Sequence, residues 1–349
     1  MFLFGLCLIS FTQTVFAETS SKAEEFLTEF NRRALIERNK YELASWRYSS
    51  NVSSTEAIEE KKSATLAYET FLEEARKNAS KFSSLEDLPV DSQRQIKLIR
   101  VSGAALKDKQ KRQKLADIKI QMQTIYSASY AHHPVTGKNL SLSPDLTNIM
   151  ASSRKYDELV FAWQSWRDAV GPKIRPLYEK YVKLANEGAK DNNFSDYGAY
   201  WRESYEVDNL PELVKTLWGE LEPFYQELHA YVRAQLANEY PQVHGNKGIP
   251  AHLLGNMWAQ SWVEIYPLVE PYKSKSSLDV TKTMKEKNFT VEKMFDVTQS
   301  FFVSLGMEKL PEKFLQSSMI RKPKGREVEC HASAWDMYLR TKEGEKDVR

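Results

Sequence analysis

Apolar residues recur along most of this chain at the three- and four-residue spacing of a helix rather than the two-residue spacing of a strand. Ala23, Leu27, Phe30 and Ala34 share one face of a first segment, and Ser21-x-x-Glu24 reads as its capping box. Ala64, Tyr68, Phe71 and Ala75 repeat the stripe in a second segment. Leu221, Tyr225, Leu228, Val232 and Leu236 form a third, which Pro241 stops because proline cannot continue a helix. Met294, Val297, Phe301 and Leu305 form a fourth, with Gly306 as its C-cap. Alternating β-branched runs are scarce. Short extended pieces are predicted only around 326–331 and near the C-terminus. Stretches rich in Gly, Pro, Asn or Ser predict loops at 131–145, 241–250 and 268–290. The fold class is therefore mostly α with few short strands.

Residues 2–11 are apolar, too short a run to span a bilayer, which takes about 20 residues. They lead to Val15-Phe16-Ala17, a small-x-small ending. Residues 1–17 therefore read as a signal peptide without the usual basic start, and the mature chain begins near Glu18. No other stretch is apolar enough to cross a membrane, so the expected location is secreted. Five Asn-x-Ser/Thr sequons, at Asn51, Asn78, Asn139, Asn193 and Asn288, fit that compartment as surface glycosylation sites. Cys7 leaves with the signal, and Cys330 becomes a lone cysteine whose partner is expected to be missing.

The chain has 349 residues, 42% hydrophobic and 28% charged, with 49 basic and 47 acidic residues and a formal net charge of +2. That length suits one or two domains, and so even a balance creates no field for nucleic acid or an anionic membrane surface. The one basic run, Lys107 to Lys114, reads as a solvated helix face. A zinc peptidase needs two histidines one helical turn apart with a glutamate between them. His132, His133, His229, His244, His252 and His331 make no His-Glu-x-x-His. Nor does the sequence carry a Gly-rich phosphate loop or a Gly-x-Ser-x-Gly elbow. Residue chemistry by itself reaches a secreted, glycosylated helical protein.

Four segments carry a resemblance that goes further. They are Ser153 to Leu159 with Ala162 to Asp168, Leu228 to Arg233, Ile249 to Gln260 (IPAHLLGNMWAQ), and Gly325 to Asp336 (GREVECHASAWD). In order and rough spacing they resemble the angiotensin-converting-enzyme family, and the resemblance covers residues 18–349. It implies a helical, two-lobed zinc peptidase with a central channel, of which this chain supplies the N-terminal helical lid and part of the channel wall. The implied reaction is release of C-terminal dipeptides from oligopeptides, with one zinc and with chloride as activator. Gln260 resembles the residue that binds the substrate's terminal carboxylate; the bland reading is a polar residue on a helix face. His331 and Ala332 resemble residues that grip the peptide backbone beside the scissile bond; without the family, His331 would be structural. Arg167 and Tyr205 resemble ligands of the first and second chloride sites; the alternative for Arg167 is a buried pairing with Asp168 or Glu203.

Two departures stand out. The chain reaches Asp347-Val348-Arg349 before the family's zinc-binding helix, so none of its residues is expected to be catalytic or to hold metal. Taken by itself the chain is predicted inactive; the alternative is a truncated, non-catalytic secreted protein that binds peptides or partners. Residues 131–142 also lack the two cysteines that often close a small loop in the family, which leaves that loop less constrained.

Overall fold

The computed structural model describes residues 3–82, 84–86, 88–101, 106–245, 248–275, 279–340 and 346–348, with the backbone alone for 3–19, 340, 346 and 347. The helices in chain order are α1 (Leu3–Ser49), α2 (Thr55–Ala79), α3 (Val90–Val101), α4 (Lys109–Ala128), α5 (Thr147–Ser152), α6 (Tyr156–Asp191), α7 (Tyr197–Glu203), α8 (Leu210–Glu239), α9 (Tyr266–Val269), α10 (Thr281–Glu286), α11 (Val291–Ser304) and α12 (Phe314–Ser317). Two short antiparallel pairs accompany them: β1 (Tyr130–His132) with β2 (Asn139–Ser141), and β3 (Asp336–Arg340) with β4 (Lys346–Val348). The chain is mostly α, as its periodicity predicts.

It divides into two compact units. The first comprises Met1–Thr124, Leu177–Val207 and Pro311–Arg349. Its apolar centre joins Ala23 and Leu27 of α1 to Ala75 and Ala79 of α2 and Ile96 and Ile99 of α3. Phe30 stacks on Phe71 with ring centroids 5.6 Å apart, so two of the predicted stripes meet face to face. α1 also holds the C-terminal segment. Asn39 Nδ2 donates to the Met337 carbonyl at 2.6 Å, and Trp46 meets Trp335 edge-on at 5.6 Å.

The second unit comprises Ile125–Pro176 and Asp208–Leu310. Its core joins Leu159, Ala162, Trp166 and Val170 of α6 to Val232 and Leu236 of α8 and to Leu253, Leu254, Met257 and Ile265. At its edge the Thr290 hydroxyl accepts from the Lys293 amide to start α11. The helix ends as expected at Gly306, whose φ is +88°. There the Gly306 amide donates to Val303 and the Met307 amide to Phe302, a Schellman arrangement.

Several expectations are corrected. Ser21 is no cap, because α1 runs unbroken through it and a capping residue must leave helical geometry. Region 131–145 is not wholly loop: His132 pairs with Asn139 and Tyr130 with Ser141, an alternation too short to register in the sequence. Residues 326–331 form no strand. They are nonetheless tied to the turn after α1, with Val52 N donating to Glu327 O at 3.0 Å and Glu329 N to Ser49 O at 2.8 Å. The fourth stripe is helical but not core, since Met294, Val297, Phe301 and Leu305 are all exposed. The third is core only in part: Val232 and Leu236 are buried, and Leu221, Tyr225 and Leu228 are exposed. Within the basic run, Arg112 is no solvated residue; its Nη1 lies 3.0 Å from Glu73 and donates to the Leu106 carbonyl at 2.6 Å.

Candidate functional site

In the second unit, residues 249–265 form a compact irregular segment because several of its bonds are local. Gly255, at φ +77°, turns the chain where an added Cβ would come 2.9 Å from Glu264 Cβ. Asn256 Oδ1 accepts from the Trp258 amide at 2.8 Å, and the Trp258 indole donates to the Tyr126 hydroxyl at 3.1 Å. With Leu253 and Met257 buried beneath, Gln260 is left exposed. It lies on an irregular stretch, not on a helix face.

Arg167 holds that same segment. Its Nη2 donates to the Met257 carbonyl at 2.6 Å and its Nη1 to the Trp163 carbonyl at 3.0 Å. Its guanidinium lies 3.7 Å over the Trp163 ring, an i,i+4 neighbour on α6. Burial pulls Arg167 below its ordinary pKa, and Tyr126 opposes this only in part. No carboxylate among the described residues of the second unit lies within ion-pair distance of Arg167, so a pairing with Asp168 does not form. Of its five N–H groups, two are engaged with carbonyls. A half-buried cation with spare donors and no counter-charge suits a halide.

His331 and Ala332 are exposed in the first unit. His331 Nδ1 lies 3.0 Å from the Ala332 carbonyl, which can only accept, so Nδ1 is the donor. Nε2 is then an acceptor or, when protonated, faces Glu329 Oε1 at 3.7 Å. Glu329 is itself fixed: Ser49 Oγ donates to one oxygen and Gln123 Nε2 to the other, each at 2.6 Å. Sequence reasoning missed these positioning residues. Ser49 and Gln123 lie 280 and 206 residues from Glu329, and no local pattern links them.

Tyr205 follows α7, which starts where Asp196 Oδ1 accepts from the Ala199 amide at 2.8 Å. It is 66% exposed and lines an open cavity of about 560 Å³ with Leu98, Tyr197, Tyr200, Trp201 and Glu203. Gln260 and Arg167 belong to the second unit, and His331, Ala332 and Tyr205 to the first. Asn78, Asn139, Asn193 and Asn288 are exposed and Asn51 is half-buried. Cys330 is a free, exposed thiol. Among the described residues no three His, Cys, Asp or Glu side chains are grouped to hold a metal ion, and no helix is long and apolar enough to cross a membrane.

The fold is mostly helical, with irregular segments pinned by local and long-range hydrogen bonds. The family model Peptidase_M2, described as angiotensin-converting enzyme, matches residues 17–349, and the chain belongs to that family. It is 44% identical over 305 residues to the angiotensin-converting enzyme of Mesocricetus auratus, covering 85% of this chain and 23% of that protein. With the enzymes of Rattus norvegicus and Bos taurus the identities are 41% and 42% over 327 residues, 91% of this chain and 24% of each relative. The chain thus spans about a quarter of the length of the curated relatives it matches.

Proposed function

We propose that this chain is the substrate-side portion of a secreted zinc peptidyl-dipeptidase, which releases C-terminal dipeptides from oligopeptides. Gln260 donates its amide to the terminal carboxylate of the peptide. His331, through its imidazole, and Ala332, through its backbone, hold the peptide backbone beside the scissile bond. Arg167 and Tyr205 each contribute to a chloride site. Zinc, when bound by the whole enzyme, supplies a Lewis acid and an activated water, and no residue of this chain is assigned to it. Residues 1–17 act as the signal peptide, 18–349 as part of one peptidase domain, and the five sequons as glycan acceptors.

The observation that carries the reading is at Gln260. Its side chain is free in solvent while its backbone segment is clamped by Arg167 and Gly255, as a recognition group requires. Binding of an oligopeptide to the purified chain tests it. Gln260→Ala should weaken a peptide with a free C-terminal carboxylate roughly tenfold, the effect of one hydrogen bond to a charged group. The same peptide with an amidated C-terminus should bind both forms equally. Equal loss for both peptides would refute the assignment.

A second reading has one observation in its favour: no His-Glu-x-x-His occurs in the 349 residues. In that reading the chain is a non-catalytic secreted peptide-binding or interaction protein. Metal analysis and a peptidase assay on the 349-residue chain bear on both. We expect no stoichiometric zinc and no dipeptide release. One tightly held zinc with activity would overturn the assignment of the metal chemistry to residues outside this sequence.

A further inference from the structure

Helices α1, α2 and α4 enclose a cavity of about 280 Å³ in the first unit. Its lining carries three cations, Arg38, Lys61 and Lys119, against one carboxylate, Glu69. The charges do not pair off among themselves. Arg38 Nε binds Glu42 at 2.7 Å, and its guanidinium lies 5.6 Å over Tyr41 and 5.5 Å over Tyr68. Burial opposes the Arg38 charge, and the Tyr68 hydroxyl and Glu42 more than offset it, so it stays a cation. Lys61 has the Tyr41 ring at 4.2 Å and the Ser45 hydroxyl as neighbours. No carboxylate among the described residues lies within ion-pair distance of Lys61 or Lys119.

A half-buried ammonium with no carboxylate at ion-pair distance is costly, and its titration responds. Burial pushes the Lys61 ammonium down to about 8, against the more distant pull of Glu42 and Glu329. Burial pushes the Glu69 carboxyl up, so the one lining acid is a reluctant anion. The space holds far more than one water, whose share of liquid volume is about 30 Å³. A space of this size with this lining suits an anion of a few heavy atoms.

We propose that this cavity is a carboxylate-binding site in which the ligand's oxygens pair with Lys61 and Lys119. The site stands independently of the peptidase reading. The carboxylate has two possible sources: a free small acid, or an acidic side chain of a bound peptide. The cavity borders the His331 segment, because its lining residue Gln123 donates to Glu329 and Glu329 faces His331.

Lys61 reports on its own occupancy. The full chain is labelled with trace acetic anhydride at constant ionic strength in sodium chloride, and each lysine is quantified by peptide mapping, with exposed Lys40 as internal reference. Succinate and a blocked peptide carrying one glutamate are the probes, with the glutamine peptide as control. We expect succinate to slow Lys61 labelling several-fold and leave Lys40 unchanged. Protection by succinate and by the glutamate peptide, but not the glutamine peptide, assigns the site to acidic side chains. Protection by succinate alone assigns it to a free acid. Lys119→Gln should weaken protection about two- to fivefold, the worth of one solvent-facing ion pair, with an unchanged helical spectrum. Thermal melting gives a second readout: succinate should raise the midpoint of the parent chain and not that of Lys61→Met. Labelling and melting both indifferent to succinate and to the glutamate peptide, or succinate protection undiminished in Lys119→Gln, would overturn the site.

Discussion

At Gly255 the backbone adopts φ +77° and leaves no room for a Cβ, so Gly255→Ala incurs both strain and a clash with Glu264. We expect a loss of about 2 kcal/mol or more in urea unfolding. A loss below about 0.5 kcal/mol would show that the segment carrying Gln260 relaxes freely. His252 sits nearby with a buried Nε2 that has no hydrogen-bond partner among the described residues, its ring edge-on to Tyr156 at 4.8 Å. Burial lowers its pKa from the ordinary 6.5. Between that lowered value and 6.5 the unfolded chain binds more protons than the folded one, so stability rises with pH there. His252 therefore costs nothing above about pH 6.5, destabilises progressively as pH falls from there toward its lowered folded pKa, and adds no further penalty below it. Melting curves from pH 7 to about pH 5 should show a steeper acid decline in the parent chain than in His252→Phe. Parallel declines would place the acid sensitivity elsewhere. Both residues are visible in the sequence, but the reason each matters is its neighbour in space.

Helices read well from the sequence in position and poorly in burial. The cap at Thr290 and the Schellman turn at Gly306 bracket α11 because capping depends on residues three or four apart. Thr290→Ala should cost about 1 kcal/mol of stability, and Thr290→Asp should restore it. If α11 does not respond to either, its ends are held by packing instead. Along α8 one stripe has two fates. Leu236 is wholly buried, and Leu221, fifteen residues earlier, is 52% exposed. Leu236→Ala should lose about 2–5 kcal/mol, and Leu221→Ala should stay within about 0.5 kcal/mol. Equal losses would mean that the exposed half of α8 is covered in solution.

On the scale of the whole molecule, the second unit exposes apolar side chains along two of its helices. Leu213, Val214, Leu217, Trp218 and Phe224 of α8 are exposed, and so are Phe301 and Phe302 of α11. Exposed apolar side chains grouped along a helix mark a surface that another element covers. The chain produced alone should bind a hydrophobic dye and aggregate, and Leu217→Lys together with Phe301→Lys should reduce both. A monodisperse parent chain that ignores the dye would contradict this.

Periodicity alone determined the mostly helical class, the end of α8 before Pro241 and the end of α11 at Gly306. Helical propensity and capping act over three or four residues, and such information survives in the bare chain. The four segments likewise pointed to the family, because two runs of a dozen residues and two shorter ones in the same order are too specific to recur by chance. Tertiary structure decided the rest. It set which half of a stripe is core, how Ser49 and Gln123 reach Glu329, how Arg167 grips the Met257 carbonyl, and how Lys61 and Lys119 come to share one cavity. Burial and electrostatic pairing are properties of neighbours in space. Those neighbours lie tens to hundreds of positions apart, where no local pattern connects them.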